Sequence, residues 1–402
     1  MCQTKGPAPG PLRLLRMNAL RIVPVTERRH WRQFLELPWT LHRNDPQWVP
    51  PLRRQQEELV GYRYHPFYDQ AQRQAFLALR DGQAVGRVLA ILNHAHNRFH
   101  REQRGFFGFF ESVDDTEVAQ GLFAAVREWF AARGITAIRG PMNPSMNYEC
   151  GLLIEGFDTP PFFMMTHNPP YYQRLIEASG FQKAEDMVAF WGHIDMLQTL
   201  DSKLAFITEE CRSRFQIRLR RMDRRQFMRD VELFLDIYNK ALVGTWGFVP
   251  LSEAEVKHMA RAMRYLIVPE MTTIAEIDGR PVGAQLGLLD YNPRIKAIDG
   301  RLFPFGFFRL LWNKRAIKRV RLLSTNVIPE YQKWGIGLVL AAGLLPEVRA
   351  WGIQEAEFSW VLESNKLSYG TLKRGGAKIT KKYRIFDSVD PSQPAASTPS
   401  PH

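Results

Sequence analysis

The chain has 402 residues, of which 45% are hydrophobic, and carries a formal net charge of +13 at pH 7. That length suits two or three domains, and the apolar content suits packed cores rather than a disordered or fibrous chain. Cys2, Cys150 and Cys211 are too few and too far apart for a disulfide framework or a zinc motif. No apolar run nears the ~20 residues needed to span a bilayer, and the N-terminal segment lacks the apolar centre of a signal peptide, so a cytoplasmic protein is expected. The positive charge calls for an anionic partner: nucleic acid, acidic lipid or a polyphosphate cofactor.

Residues 1–18 and the Ser-, Pro- and Ala-rich tail 388–402 have the composition of disordered ends. Between them the pattern divides into a unit at 19–195 and another at 196–387. The first opens with a strand at 20–25 and a helix from Glu27, and the proline- and aromatic-rich stretch 38–66 reads as irregular. Strands at 75–79 and 84–92 flank Asp81-Gly82, a hairpin signal. A strand at 106–111 follows. The helix at 117–132 puts Val118, Leu122, Val126 and Phe130 on one face and stops at Gly134, and a strand follows at 135–139.

The second unit begins with a strand at 217–222 and a helix over 225–242. A hairpin, 272–277 with 282–289, is turned by Asp278-Gly279. A strand at 319–328 leads through Val327-Ile328-Pro329-Glu330-Tyr331-Gln332-Lys333-Trp334-Gly335-Ile336-Gly337 into an apolar helix at 338–345. A strand at 356–362, a helix at 366–373 and a closing strand at 378–386 complete the unit. The units end alike: Asn168-Pro-Pro-Tyr171-Tyr172 leads to Gly180-Phe181 and a strand, and Asn365-Lys-Leu-Ser368-Tyr369 leads to Gly375-Gly376 and a strand. Periodicity alone says α/β or α+β.

Strand, tight glycine loop, helix is an arrangement that suits a pyrophosphate. Glycines admit close backbone approach, and the unsatisfied amides at a helix start carry the positive end of its dipole. The spacing Gln332-x-x-Gly335-x-Gly337 resembles the coenzyme A loop of the GNAT acyltransferase superfamily. The first unit lacks such a loop, so one cofactor site is expected. Longer segments resemble a two-domain bacterial GNAT group that includes the bacterial ceramide synthases: Gly105-Phe-Phe-Gly-Phe-Phe-Glu111, Gly140-Pro-Met-Asn143-Pro-Ser-Met-Asn147-Tyr-Glu149-Cys-Gly151, Gly156-Phe-Asp158-Thr-Pro160-Pro161 and Trp246-Gly-Phe248-Val-Pro250. The resemblance implies tandem GNAT-like α+β domains, each a mixed, mostly antiparallel sheet flanked by helices. It also implies acyl-CoA as co-substrate and N-acylation of a sphingoid-like amine.

Under that resemblance, Gln332, Lys333, Trp334, Gly335, Ile336 and Gly337 hold the pyrophosphate. Asn326, Val327 and Ile328 present strand edges to the pantetheine arm. Asn365 caps a helix and also contacts the cofactor. Glu330 is placed to take the ammonium proton. The superfamily's thiolate-protonating Tyr falls on Leu372 here, so Tyr369 is the substitute candidate, and Glu149 is a third catalytic candidate. Asn143 and Asn147, with His96, Trp246 and Phe248, are expected to bind the acceptor. His94 and His96 are read on one strand face; with His100 they lack a carboxylate or Cys at ligand spacing, and no metal is expected.

The run Arg301–Arg321 holds seven Lys/Arg and no acid among many aromatics, a composition that suits an anionic membrane surface. Together with the bacterial group that the chain resembles, this implies a location peripheral on the inner membrane of a bacterium. Arg212–Arg225 is a second basic run. No nucleic-acid reader motif is present. Two other readings stay open: an acetyl or aminoacyl transferase for a soluble amine, and a non-catalytic CoA- or lipid-binding protein.

Overall fold

The computed structural model describes residues 19–197 and 201–388; residues 1–18 and most of the tail expected to be disordered lie outside them. The first half runs β1 (Arg21–Pro24), α1 (Arg28–Leu41), α2 (Arg53–Leu59), β2 (Ala71–Arg80), β3 (Gln83–Asn93), α3 (His94–His100), β4 (Arg104–Ser112), α4 (Thr116–Ala131), β5 (Ala137–Gly140), a small hairpin of β6 (Met142–Asn143) and β7 (Glu149–Cys150), β8 (Leu152–Glu155), α5 (Tyr171–Ala178) and β9 (Phe181–His193). The second runs α6 (Asp201–Arg214), β10 (Arg218–Arg220), α7 (Phe227–Ala241), α8 (Glu253–Met263), β11 (Thr272–Ile277), β12 (Arg280–Leu289), α9 (Asn292–Ala297), α10 (Gly306–Leu311), β13 (Arg319–Val327), α11 (Ile336–Trp351), β14 (Glu355–Leu362), α12 (Lys366–Arg374) and β15 (Lys378–Ser388).

Local chemistry explains the elements that the pattern located. Asp81-Gly82 and Asp278-Gly279 all adopt positive φ, as a two-residue hairpin turn requires. Helix α4 starts where the Asp115 carboxylate accepts the Glu117 amide, and it buries Val118, Leu122, Val126 and Phe130 completely. Three readings need correction. The stretch 38–66 is not irregular, because α1 continues through the buried Pro38 to Leu41, and α2 lies inside the stretch; burial of Phe34 and Leu37 overrides the proline signal. His94 and His96 sit on a helix, because the Asn93 side chain caps it by accepting the His96 amide at 3.0 Å. Ser388, assigned to the tail, pairs with Phe181 at the end of β15.

The two halves share one sheet of thirteen strands, ordered β1-β2-β3-β4-β5-β15-β9-β14-β13-β12-β11-β10, with β8 on the β15 edge. Each half's parallel pair, β4 with β5 and β13 with β14, is followed in the sheet by the other half's closing strand. The closing strands are therefore exchanged. Strand β9 lies between β14 and β15, and β15 between β5 and β9. Apolar clusters cover both faces, and one of them joins Leu77, Phe106 and Met187 of the first half to Leu362, Tyr383 and Ile385 of the second.

Candidate functional site

In the second half, β13 and β14 pair only over Arg319–Leu322 with Glu355–Phe358. The β12–β13 register shifts at Leu286/Gly287, an irregularity of the kind that bends a strand, and the β13 edge beyond Leu322 has no strand partner on the β14 side among the described residues. The first half has the same split beyond Phe106, but the chain itself fills it. The Met142 carbonyl occupies the place a Gly108 Cβ would take, and the Asn143 side chain accepts the Phe109 amide at 2.6 Å.

At the end of β13, Pro329–Trp334 make a 3₁₀ turn, and Gly335, at φ 76°, begins α11. No side chain caps this helix start; the Leu338 amide donates to the Gly335 carbonyl at 3.0 Å, which leaves the Ile336 and Gly337 amides for an anion. Buried Ile336, Val339 and Leu340 anchor the helix. Gln332 ties the turn down, donating to the carbonyls of Val327 at 3.1 Å and Ala241 at 3.2 Å. Trp334 packs between Phe215 and Tyr331, and Lys333 is exposed. A Cβ on Gly337 would meet only Thr325 Cγ2, at 3.9 Å, whereas one on Gly335 would meet Cys211 Sγ at 3.0 Å. Val327 and Ile328 are buried against β12. Asn326 is buried too; its side-chain oxygen accepts the Ser324 hydroxyl at 2.7 Å, and its Nδ2 has no partner.

The three catalytic candidates sit on separate elements. Glu330 is exposed on the turn, 3.8 Å from Arg280. Tyr369 packs edge-on against Phe190 on α12, a helix with no fully buried residue, and Asn365 caps that helix by accepting the Ser368 amide at 3.1 Å. Glu149 faces a cavity of about 150 Å³, and Asn143 faces it too. The cavity walls also include Trp48, Pro51, Leu52, Glu111, Phe163 and Ile295, so both halves contribute. The Glu149 side chain makes no hydrogen bond to described residues; burial raises its pKa, opposed by the guanidinium of Arg321. Arg321, buried on β13, donates to the Ser359 hydroxyl at 2.8 Å and to the carbonyls of Ser359, Phe163 and Met164 at 3.0–3.1 Å. Glu149 thus lines the cavity and lies within electrostatic range of Arg321, on the strand bearing the open edge.

His96, Asn147, Trp246 and Phe248 are gathered elsewhere, in a packed seam between the halves. Asn147 donates to the Val249 carbonyl at 2.8 Å and accepts the Tyr238 hydroxyl at 3.0 Å. His96 lies 2.5 Å from Glu102, and burial lowers its pKa to about 4. Phe248 is buried, with its carbonyl 2.8 Å from His100 Nε2, and Trp246 lies under the Arg139 guanidinium. Among the described residues, no three His, Cys, Asp or Glu side chains group closely enough to hold a metal.

Sequence reasoning missed the polar groups at the other end of the cavity. Glu111 accepts from Tyr172 at 2.7 Å and lies 2.8 Å from His42 Nε2, while His167 lies 2.7 Å from Asp45. A repeat would have found this wall: Trp48-Val49-Pro50, which lines the cavity, recurs as Phe248-Val249-Pro250, each just ahead of a helix, at Arg53 and at Glu253.

No protein-family model matches the chain. Protein YghO of Escherichia coli is 35% identical over 362 residues, covering 89% of this chain and 92% of that protein. The bacterial ceramide synthase of Caulobacter vibrioides is 32% identical over 384 residues, covering 92% and 97%. Among solved structures, a tandem GNAT protein from the clavulanic acid biosynthesis pathway superposes with a TM-score of 0.53 over 93% of this chain and all of that one, at 13% identity. A GCN5-related glucosamine N-acetyltransferase region in a fungal multi-domain β-N-acetylglucosaminidase gives the same score, 0.53, over 93% of this chain and 38% of that one, also at 13% identity. These structures share the fold.

Proposed function

The chain belongs to the GNAT superfamily, in the two-domain bacterial group that includes the bacterial ceramide synthases, and from that premise we propose that it transfers a long acyl chain from coenzyme A to the amine of a sphingoid-like lipid at the cytoplasmic face of a bacterial inner membrane. The observation that carries this reading is the uncapped start of α11 after Gly335, beside the unpaired edge of β13. An amide-rich pantetheine arm finds backbone partners on a free strand edge, and a pyrophosphate finds amides and a helix dipole. In this reading Asn326 to Ile328 flank the arm, Gln332 to Gly337 shape the phosphate cradle, and Asn365 stands by the cofactor.

The reaction needs a neutral amine. Its nitrogen attacks the thioester carbon, the C–S bond breaks, one amine proton leaves and the thiolate gains one. Glu149 is the best-placed acceptor of the amine proton, because burial raises its affinity for a proton and its carboxylate makes no hydrogen bond to the described residues. Glu330, exposed beside Arg280, is the weaker candidate. Tyr369 carries the phenol proposed to protonate the thiolate. Asn143 shares the cavity with Glu149 and is assigned to the acceptor's polar head. Asn147, His96, Trp246 and Phe248 act through the seam that shapes this cavity's neighbourhood.

The test is incubation of the full chain with long-chain acyl-CoA and sphinganine or its 3-keto form. Free thiol and a matching amide are expected in equal amounts. Their absence across acyl lengths, or turnover confined to short acyl groups and soluble amines, overturns the lipid reading.

A further inference from the structure

Between α9 and β13 the chain leaves a set of large rings uncovered. Phe303, Phe305, Phe308 and Trp312 are each at least 68% exposed. This is not a loose segment. Gly306 and Leu310 are buried, and Arg294 of α9 donates to the carbonyls of Leu310 at 3.0 Å and Asn313 at 2.8 Å. Tyr265, from the end of α8, stacks edge-on against Phe307 and widens the patch. Cations surround it. Arg309 has no acidic partner among the described residues; Lys314, Arg315 and Lys318 donate to backbone carbonyls, Arg315 also lies over the Trp351 ring, and none of the three has an acidic partner among the described residues. From Gly300 to Pro329 there are seven Lys/Arg and no Asp or Glu.

Fixed, solvent-facing aromatic rings with unpaired cations beside them match the boundary layer of a phospholipid leaflet, where rings settle among acyl chains and cations meet phosphates. The patch also adjoins the cavity. Asn292 and Ile295 of α9 line that cavity, and the Gly300 carbonyl accepts the amide of Arg53 at 3.0 Å, immediately after cavity-lining Pro51 and Leu52. At about 150 Å³ the cavity is of the size that admits one benzene-sized molecule, enough for a polar head and too little for a long chain. We propose that this aromatic and basic segment seats the protein on an anionic phospholipid bilayer, with the head of a lipid amine entering the cavity past α9 while its tail stays with the membrane. The route rests on the acyltransferase reading; the docking does not.

The experiment is flotation of the full chain, without coenzyme A, on vesicles of phosphatidylcholine alone or mixed with phosphatidylglycerol. Flotation on the mixed vesicles, weakened by salt, is expected. The combined variant Phe303→Ser, Phe305→Ser, Trp312→Ser should partition roughly tenfold less or weaker still, and Arg309→Glu should weaken flotation on the mixed vesicles alone. These side chains are exposed, so circular dichroism melting should be unchanged. A wild-type chain that stays off the mixed vesicles, or a serine variant that floats like wild type, overturns the proposal. Flotation without acyl transfer sinks the enzyme reading alone, and acyl transfer without flotation sinks the surface alone.

Discussion

The side-chain oxygen of Asn143 lies 2.6 Å from the amide of Phe109, and this bond ties a loop across the gap where the first half's sheet would otherwise open. Phe109 itself has φ 51°, a left-handed conformation that costs a non-glycine residue about 1–2 kcal/mol. Asn143→Ala leaves that amide without its acceptor, at a cost of about 1–3 kcal/mol. A lower thermal midpoint with coenzyme A affinity unchanged is expected; a matching loss of affinity would mean that the two splits are not independent.

What could be read from the residues was local. Both Asp-Gly hairpins, the α4 stripe and the turn at Gly335 depend on neighbours a few positions apart, and each is found where its pattern predicts. The Gly335 turn was legible because a positive φ before an apolar helix nearly demands glycine. The strand exchange was not, since β9 and β15 have ordinary strand patterns that do not encode which edge they join. The cavity was half legible: Asn143 and Glu149 stood out as polar groups in a Pro/Met-rich loop, but Glu111 and His42 meet across 69 residues. His96 and Asn147 stood out as polar groups too, but their partners, Glu102 for one and Val249 and Tyr238 for the other, could not be read from the chain, because buried polar groups need partners wherever they sit.

Gly337 and Gly335 separate ligand effects from fold effects. A Cβ at Gly337 has room, and an aspartate in the first turn favours the helix by its dipole. Gly337→Asp should therefore keep or raise the melting temperature while cutting coenzyme A affinity at least about tenfold, through repulsion at the pyrophosphate. Gly335→Ala should instead destabilise by about 1–2 kcal/mol, because its φ of 76° suits only glycine well. Calorimetry that finds coenzyme A bound equally well by Gly337→Asp would take the turn out of the site.

Glu149→Gln keeps the shape and removes the base. If Glu149 accepts the amine proton, kcat should fall by about 10²–10⁴ with little change in coenzyme A affinity. Burial raises its pKa above the ordinary carboxylate range, so the acidic limb of the wild-type kcat/KM profile should lie above that range and vanish in the variant. A profile shared by both proteins would pass the role to Glu330 or to solvent.

His65 predicts acid lability. Its Nδ1 accepts the Phe67 amide at 3.2 Å, and its ring lies 4.6 Å from that of His258. Burial, with the neighbouring histidine, lowers its pKa from 6.5 to about 4. Below 6.5 the unfolded chain takes up a proton that the folded one resists until about 4, so the stability from this group is complete above 6.5 and is lost as pH falls through that window. Between pH 7 and pH 5 the loss is roughly 2 kcal/mol. His65→Asn, which keeps an acceptor for Phe67, should be less sensitive by about that amount in denaturant titrations at the two pH values. Equal sensitivity would locate the acid response in other groups.

The exchanged strands predict that neither half stands alone. Strand β9, thirteen residues long, takes both its sheet neighbours, β14 and β15, from the second half. Residues 19–197 expressed alone would leave both edges of a central strand bare, together with the apolar surface under Leu362, Tyr383 and Ile385, and bare edges pair with other chains. The isolated first half should aggregate, and so should 201–388, whose β14 and β15 would each lose β9. Expressed together as two chains, they should form a soluble one-to-one complex, because the strand pairing does not depend on the link between them. Size-exclusion chromatography decides the matter: a stable monomeric first half would mean that its closing strand can fold back onto its own β5, and that the exchange is not needed for the fold.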